Sequence, residues 1–258
     1  MGQNLAPVPP TDNPPDNPSD NPPQLQAIPQ PDRHHRSKRK TAPVTRPGFS
    51  HVTAWVFDLD NTLYPPGMGL FPQIERRMTT WVMENLGLTR DSADHLRATY
   101  WQTYGTTLAG LMREHRVDPQ PYLAFVHDID FSVLSPDPAL AAHIRALPGR
   151  RIVYTNADIR YAARVLAARG LSGLFDAVYG VEEAGFLPKP ERAAFETVFA
   201  LDRLSPASAA MFEDDSHNLL APHAMGMQTV HVAPNPSPAR HIHHHTVDLT
   251  GFLAALAP

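Results

Sequence analysis

From Thr53 onward this chain predicts an α/β fold built on a parallel sheet. Short apolar runs, beginning Trp55-Val-Phe, Arg151-Ile-Val-Tyr, Ala177-Val-Tyr, Ala209-Ala-Met-Phe and Thr229-Val-His-Val, alternate with segments of three- and four-residue apolar spacing. Strands alternating with helices imply parallel pairing with right-handed crossovers. The first run also ends in two carboxylates one residue apart, Asp58 and Asp60. That places them at the open carboxyl edge of the sheet, where ligands of such sheets bind.

The elements follow in order. Residues 1–50 read as a disordered tail: they hold twelve of the 28 prolines and repeat Asp-Asn-Pro every four residues. Proline removes backbone donors and restricts its predecessor, and little apolar area is present to offset ordering entropy. The basic run Arg33, Arg36, Lys38, Arg39 and Lys40 reads as a solvated linker. A first strand is expected at about 52–58. Ile74, Met78, Trp81, Val82 and Leu86 then mark a helix ended by Gly87, and Thr89 starts another through Leu96 and Tyr100. Leu108–His115 and Pro121–His127 are two shorter helices. Residues 67–134 thus form a helical insert after the first strand, placed to cover the carboxyl edge as a lid does. Residues 51–66 and 135–258 form the core. In it, helices are expected at Pro138–Leu147, Ile159–Arg169, Lys189–Leu201, Asn218–Met225 and Asp248–Leu256, with Thr229–Val232 the last strand. Trp81 and Trp101 read as core residues, and His241, His243, His244 and His245 as a surface loop.

Composition narrows the function. A net charge of -4 excludes a general affinity for nucleic acid or an anionic membrane. The absence of Cys removes disulfides, thiol nucleophiles and cysteine metal sites. With no signal-peptide core and no apolar run of about 18 residues, a cytoplasmic location is the expectation.

Four sites converge on the same sheet edge: Asp58/Asp60, Thr155-Asn156, Lys189 between Pro188 and Pro190, and Glu213-Asp214-Asp215. Each meets a need of phosphoryl transfer to a carboxylate. Asp58 can attack phosphorus, and Asp60 can protonate the departing alkoxide and then deprotonate water. Thr155, backbone N–H groups near Asn156, and Lys189 can hold phosphate oxygens. Asp58, the Asp60 carbonyl and Asp214 suit Mg²⁺. A calcium loop is disfavoured, because Leu63 and Gly69 stand where such a loop needs glycine and glutamate.

This set, Asp58-Leu-Asp60-Asn-Thr-Leu, Thr155-Asn156, Pro188-Lys189-Pro190 and Phe212-Glu213-Asp214, resembles the haloacid dehalogenase-like (HAD) hydrolase superfamily over about residues 52–235. Longer strings, including Asp-Asn-Thr-Leu-Tyr64-Pro, Tyr104-Gly-Thr-Thr-Leu-Ala-Gly-Leu, His127-Asp-Ile-Asp and Gly185-Phe-Leu-Pro-Lys-Pro, are similar to its pyrimidine 5′-nucleotidase branch. The resemblance implies a Rossmann-like core with a helical cap in the first insertion position. It also implies Mg²⁺-dependent dephosphorylation of UMP- or CMP-like nucleotides. Tyr104, Thr106 and Thr107 match the branch and are candidates to face substrate, against a helix-capping role for the threonines. The acidic run is longer than the usual fourth motif; alignment through Asn218-Leu219 puts Glu213-Asp214 on it, which implies Asp214 as the direct ligand and Glu213 as a second or outer ligand, and leaves Asp215 as an alternative partner of the metal. Other readings are a phosphatase or phosphomutase for a sugar phosphate or other small phosphorylated metabolite, and a non-catalytic phosphate-responsive binding protein.

Overall fold

The computed structural model describes residues 48–256. The Asp-Asn-Pro repeat and the basic run lie outside them. Six strands, β1 (Ala54–Phe57), β2 (Arg150–Tyr154), β3 (Ala177–Tyr179), β4 (Ala209–Glu213), β5 (Gln228–Val232) and β6 (His244–Thr246), form one sheet. All pairings are parallel, in the order β3-β2-β1-β4-β5-β6. The strand order reverses between β1 and β4, the topological switch point at which such sheets bind ligands.

The four central strands β2, β1, β4 and β5 are buried on both faces, as parallel strands covered by helices are. Trp55, Phe57, Val153 and Phe212 point into one apolar cluster, and Val56, Ile152, Tyr154 and Met211 into the other. Phe57 and Phe212 stack with ring centroids 4.7 Å apart, which ties the two strands at the switch point together. Helices α5 (Pro138–Ala146), α6 (Ile159–Ala168), α7 (Arg192–Asp202), α8 (Leu220–Ala224) and α9 (Leu249–Ala254) cover the sheet.

Between β1 and β2 lie α1 (Phe71–Leu86), α2 (Arg90–Tyr104), α3 (Thr107–His115) and α4 (Pro119–Val126). Local chemistry sets their ends. Gly87 closes α1 in the left-handed conformation, and Thr89 caps α2 by accepting from the Ser92 N–H. Ile74, Trp81, Val82, Leu108, Leu111 and Tyr122 bury into the cluster that also holds Trp55 and Phe57. These apolar side chains of the insert are therefore buried within the chain.

Four expectations need correction. First, Lys189 does not begin a helix. Glu191 N–H closes a turn on Pro188 O at 2.9 Å, and α7 starts at Arg192. Second, residues 216–225 break into a 3₁₀ turn, Ser216–Leu219, and α8, because Asp215 caps the turn through the His217 N–H. Third, Thr229–Val232 is not the last strand: His244–Thr246 adds an edge strand to β5, so two of the clustered histidines lie in the sheet and not in a loop. Fourth, Trp101 is 50% exposed, whereas Trp81 is core as expected. No helix among the described residues is long and apolar enough to cross a membrane.

Candidate active site

Register builds the site. Phe57 ends β1 opposite Val153 of β2 and Phe212 of β4, so the residues that follow these strands arrive side by side. Asp58 N–H continues the ladder to Phe212 O at 2.9 Å. Thr155 follows β2, and Glu213 and Asp214 lie at the end of β4.

Lys189 joins them from the loop before α7. Its ammonium donates to Asp58 Oδ1 at 2.6 Å, Glu213 Oε2 at 2.6 Å and Tyr154 O at 3.2 Å. All three of its protons are thereby used, which permits its burial. Asn156 fixes the lysine's main chain. Its Oδ1 accepts from Lys189 N–H at 2.8 Å, and its Nδ2 donates to Lys189 O at 3.2 Å. Thr155 Oγ1 accepts from Ala157 N–H at 3.1 Å, which shapes the turn that carries Asn156.

Oxygens of Asp58, Glu213 and Asp214 lie within 4.8 Å of one another. Burial, and then the Glu213 charge, pushes Asp58 up to about 7 and Asp214 up to about 10. Burial and the neighbouring Asp58 charge raise Asp60 as well. Four carboxyl groups thus share a largely buried site with one ammonium, which pairs with Asp58 and Glu213. A hard cation with oxygen ligands would relieve that imbalance, and the donor set fits Mg²⁺. Asp215 stays out of the cluster, since its Oδ1 accepts from His217 N–H at 2.9 Å. Asn61, in the left-handed region at φ 58°, donates from Nδ2 to Asp214 Oδ2 at 3.2 Å.

Two residues that the sequence did not single out complete the site. Tyr64 and Tyr161 both donate to Asp60 Oδ1, at 2.6 and 2.5 Å. Tyr64 lies within a quoted motif, but Tyr161 had only its place to mark it: the first turn of the helix that follows a strand ending at the site.

The insert meets the site at the α2–α3 junction. Gly105, at φ +82°, lies so close to the lysine loop that a Cβ there would stand 3.1 Å from Lys189 O. Trp101, in the last turn of α2, leaves the insert's core to meet the His217 ring edge-on, with centroids 6.4 Å apart. Thr106 caps α3, accepting from Ala109 N–H at 3.1 Å, and Thr107 is buried. The Tyr104 hydroxyl donates to Glu114 Oε1 at 2.6 Å. The segment 104–107 therefore adjoins the lysine loop, with its side chains engaged within the insert. Elsewhere, His223 and His243 approach with ring centroids 5.0 Å apart. Among the described residues, however, only the carboxylate cluster brings three ligand groups together.

Residues 52–226 match the haloacid dehalogenase-like hydrolase family. The chain belongs to that family. It is 28% identical over 189 residues to phosphate metabolism protein 8 of Saccharomyces cerevisiae, an alignment covering 66% of this chain and 58% of the yeast protein. The chain thus spans little more than half of that relative. Among solved family structures, CbbY from Rhodobacter sphaeroides in complex with phosphate superposes with a TM-score of 0.55 at 16% identity, covering 80% of this chain and 99% of that one. The magnesium-bound HAD hydrolase YfnB from Bacillus subtilis gives a TM-score of 0.53 at 16% identity, covering 80% and 98%. At such identities the likeness is one of fold.

Proposed function

We propose that this HAD-family hydrolase is a Mg²⁺-dependent phosphomonoesterase that works through an aspartyl-phosphate, with pyrimidine nucleoside 5′-monophosphates as substrates. The observation that carries the phosphatase reading is Asp60: a second carboxyl group beside Asp58, raised by its surroundings and held by two hydroxyls. A dehalogenase needs the nucleophile but no acid for an alkoxide. A phosphatase needs both.

In the first step an Asp58 carboxylate oxygen bonds to phosphorus while the ester P–O bond breaks. The departing alkoxide takes the proton of Asp60. In the second step water attacks the phosphorus of the acyl phosphate and gives its proton to Asp60. The Asp58–phosphorus bond then breaks and inorganic phosphate leaves. Lys189 orients Asp58 and offsets charge throughout, and Thr155 with the Asn156 backbone N–H meets phosphate oxygens. Asp58, Glu213, Asp214 and the Asp60 carbonyl would hold Mg²⁺, which supplies charge neutralisation when bound. Residues 67–134 would act as a cap, excluding water through the α2–α3 junction over the lysine loop. The nucleotide assignment is supported by the likeness of Asp58 through Pro65 to the pyrimidine branch, and the phosphatase reading by the phosphate-metabolism name of the yeast relative.

A phosphate-release screen with Mg²⁺ across nucleotides, sugar phosphates and other phosphorylated metabolites tests the substrate. UMP and CMP are expected to lead, and a preference for sugar phosphates would refute the nucleotide assignment. Asp58→Asn is expected to abolish turnover of every substrate while the protein stays folded. Retained turnover would refute the mechanism.

A further inference from the structure

An acid that serves two successive steps has to keep one oxygen aimed at the reacting centre in both. Asp60 Oδ1 accepts from the Tyr64 hydroxyl at 2.6 Å and from the Tyr161 hydroxyl at 2.5 Å, and these hydroxyls lie 3.4 Å apart. They converge on a single oxygen, which leaves Oδ2 for the substrate. The two tyrosines come from separate elements: Tyr64 from the loop after β1, Tyr161 from the first turn of α6. Both are 1% exposed. Phenylalanine would fill the same volume, so packing alone does not call for two buried hydroxyls aimed at one carboxyl oxygen.

Tyr161 is itself held from two sides. Asp158 Oδ1 accepts from Tyr161 N–H at 2.8 Å, while Asp158 Oδ2 pairs with His127 Nδ1 at 2.5 Å. The His127 ring in turn stacks on the Tyr161 ring, with centroids 4.2 Å apart and planes at 20°. One carboxylate thus fixes both the backbone of Tyr161 and the ring that covers it. His127 follows α4 at the end of the insert, so this clamp also ties the insert to α6.

We propose that Tyr64 and Tyr161 are positioning residues that fix the carboxyl group of Asp60 so that Oδ2 alone exchanges protons with leaving group and water. This deepens the phosphatase reading and rests on Asp60 being its acid and base. The test compares Tyr64→Phe, Tyr161→Phe, the double variant and Asp60→Asn in the full chain with Mg²⁺. Two substrates are used: a nitrophenyl phosphate, whose leaving group departs without a proton, and an alkyl phosphate, whose alkoxide needs one. The quantity read is kcat/KM, which reports the steps through loss of the first product. Each single variant is expected to lose about tenfold on the alkyl substrate and to stay within about twofold on the aryl one. The double variant is expected to approach Asp60→Asn, with each single variant remaining folded and losing no more than the few degrees in melting temperature that one buried hydrogen bond is worth. Equal losses on the two substrates, or no loss on either, would overturn the proposal while leaving the phosphatase reading intact if Asp60→Asn still discriminates. An Asp60→Asn enzyme that treats both substrates alike would overturn the acid–base assignment and this proposal with it.

Discussion

Lys189 shows how much of a site can hang on a neighbour's amide. Its charge meets Asp58 and Glu213, but its main chain is held by Asn156 through both amide atoms. Removing that amide leaves a buried lysine free to shift against two carboxylates. Asn156→Ala is expected to cost about 1–3 kcal/mol, two hydrogen bonds' worth, in denaturant melts. It should also lower kcat about tenfold, because a displaced ammonium no longer orients the nucleophile. Unchanged kcat would show that the ammonium is fixed by the carboxylates alone. At this scale the sequence was readable where a charged residue ends an apolar run, as at Asp58, Asp60 and Glu213-Asp214. It was silent on what each side chain touches. Tyr161 reaches Asp60 across 101 residues and Asn156 reaches Lys189 across 33, and no local pattern encodes partners so distant in sequence.

Elements were legible in proportion to how strongly local chemistry writes them. Gly87, Thr89 and the apolar spacing of α1 marked their helix ends because capping and periodicity act within a few residues. β6 was hidden: its three residues, His244–Thr246, are only partly buried, and their strand character comes from pairing with Val230–Val232. Trp101 misled because helical spacing records which face a residue shares, not whether the helix still faces the core at its last turn. The same turn gives an element-scale prediction. Gly105 combines a left-handed φ of +82° with a 3.1 Å approach to Lys189 O. Gly105→Ala is expected to destabilise by about 1–2 kcal/mol from the backbone conformation. A methyl group at this contact would also hold the insert off the lysine loop. The expected sign is a kcat lowered severalfold beyond what the melting shift explains, read at a temperature where the variant is fully folded. A purely thermal effect would show that the α2–α3 junction does not need to seat on that loop for turnover.

On the scale of the whole molecule, the sheet directs one ammonium and four carboxylates to a single edge. Asp58 and Asp214 are held above the ordinary carboxylate range, first by burial and then by Glu213. The folded state therefore binds more protons there than the unfolded chain does. Without a cation, this contribution to stability is present at low pH and falls away as pH climbs through the raised values. A divalent ion bound only by the folded state reverses the balance near neutral pH, because it takes the place of those protons. At a Mg²⁺ concentration 100 times the dissociation constant, linkage gives about 2.7 kcal/mol. For a chain of 258 residues that is a rise of about 5–10 °C in Tm. Asp214→Asn is expected to lose most of this rise. In chelator it should melt no lower than the wild type, since the substitution removes a group whose ionisation the folded state opposes. Differential scanning calorimetry with Mg²⁺ and with chelator separates these outcomes. A wild-type Tm unmoved by Mg²⁺ would mean that Lys189 alone balances the cluster, and would remove the metal from the proposed reaction.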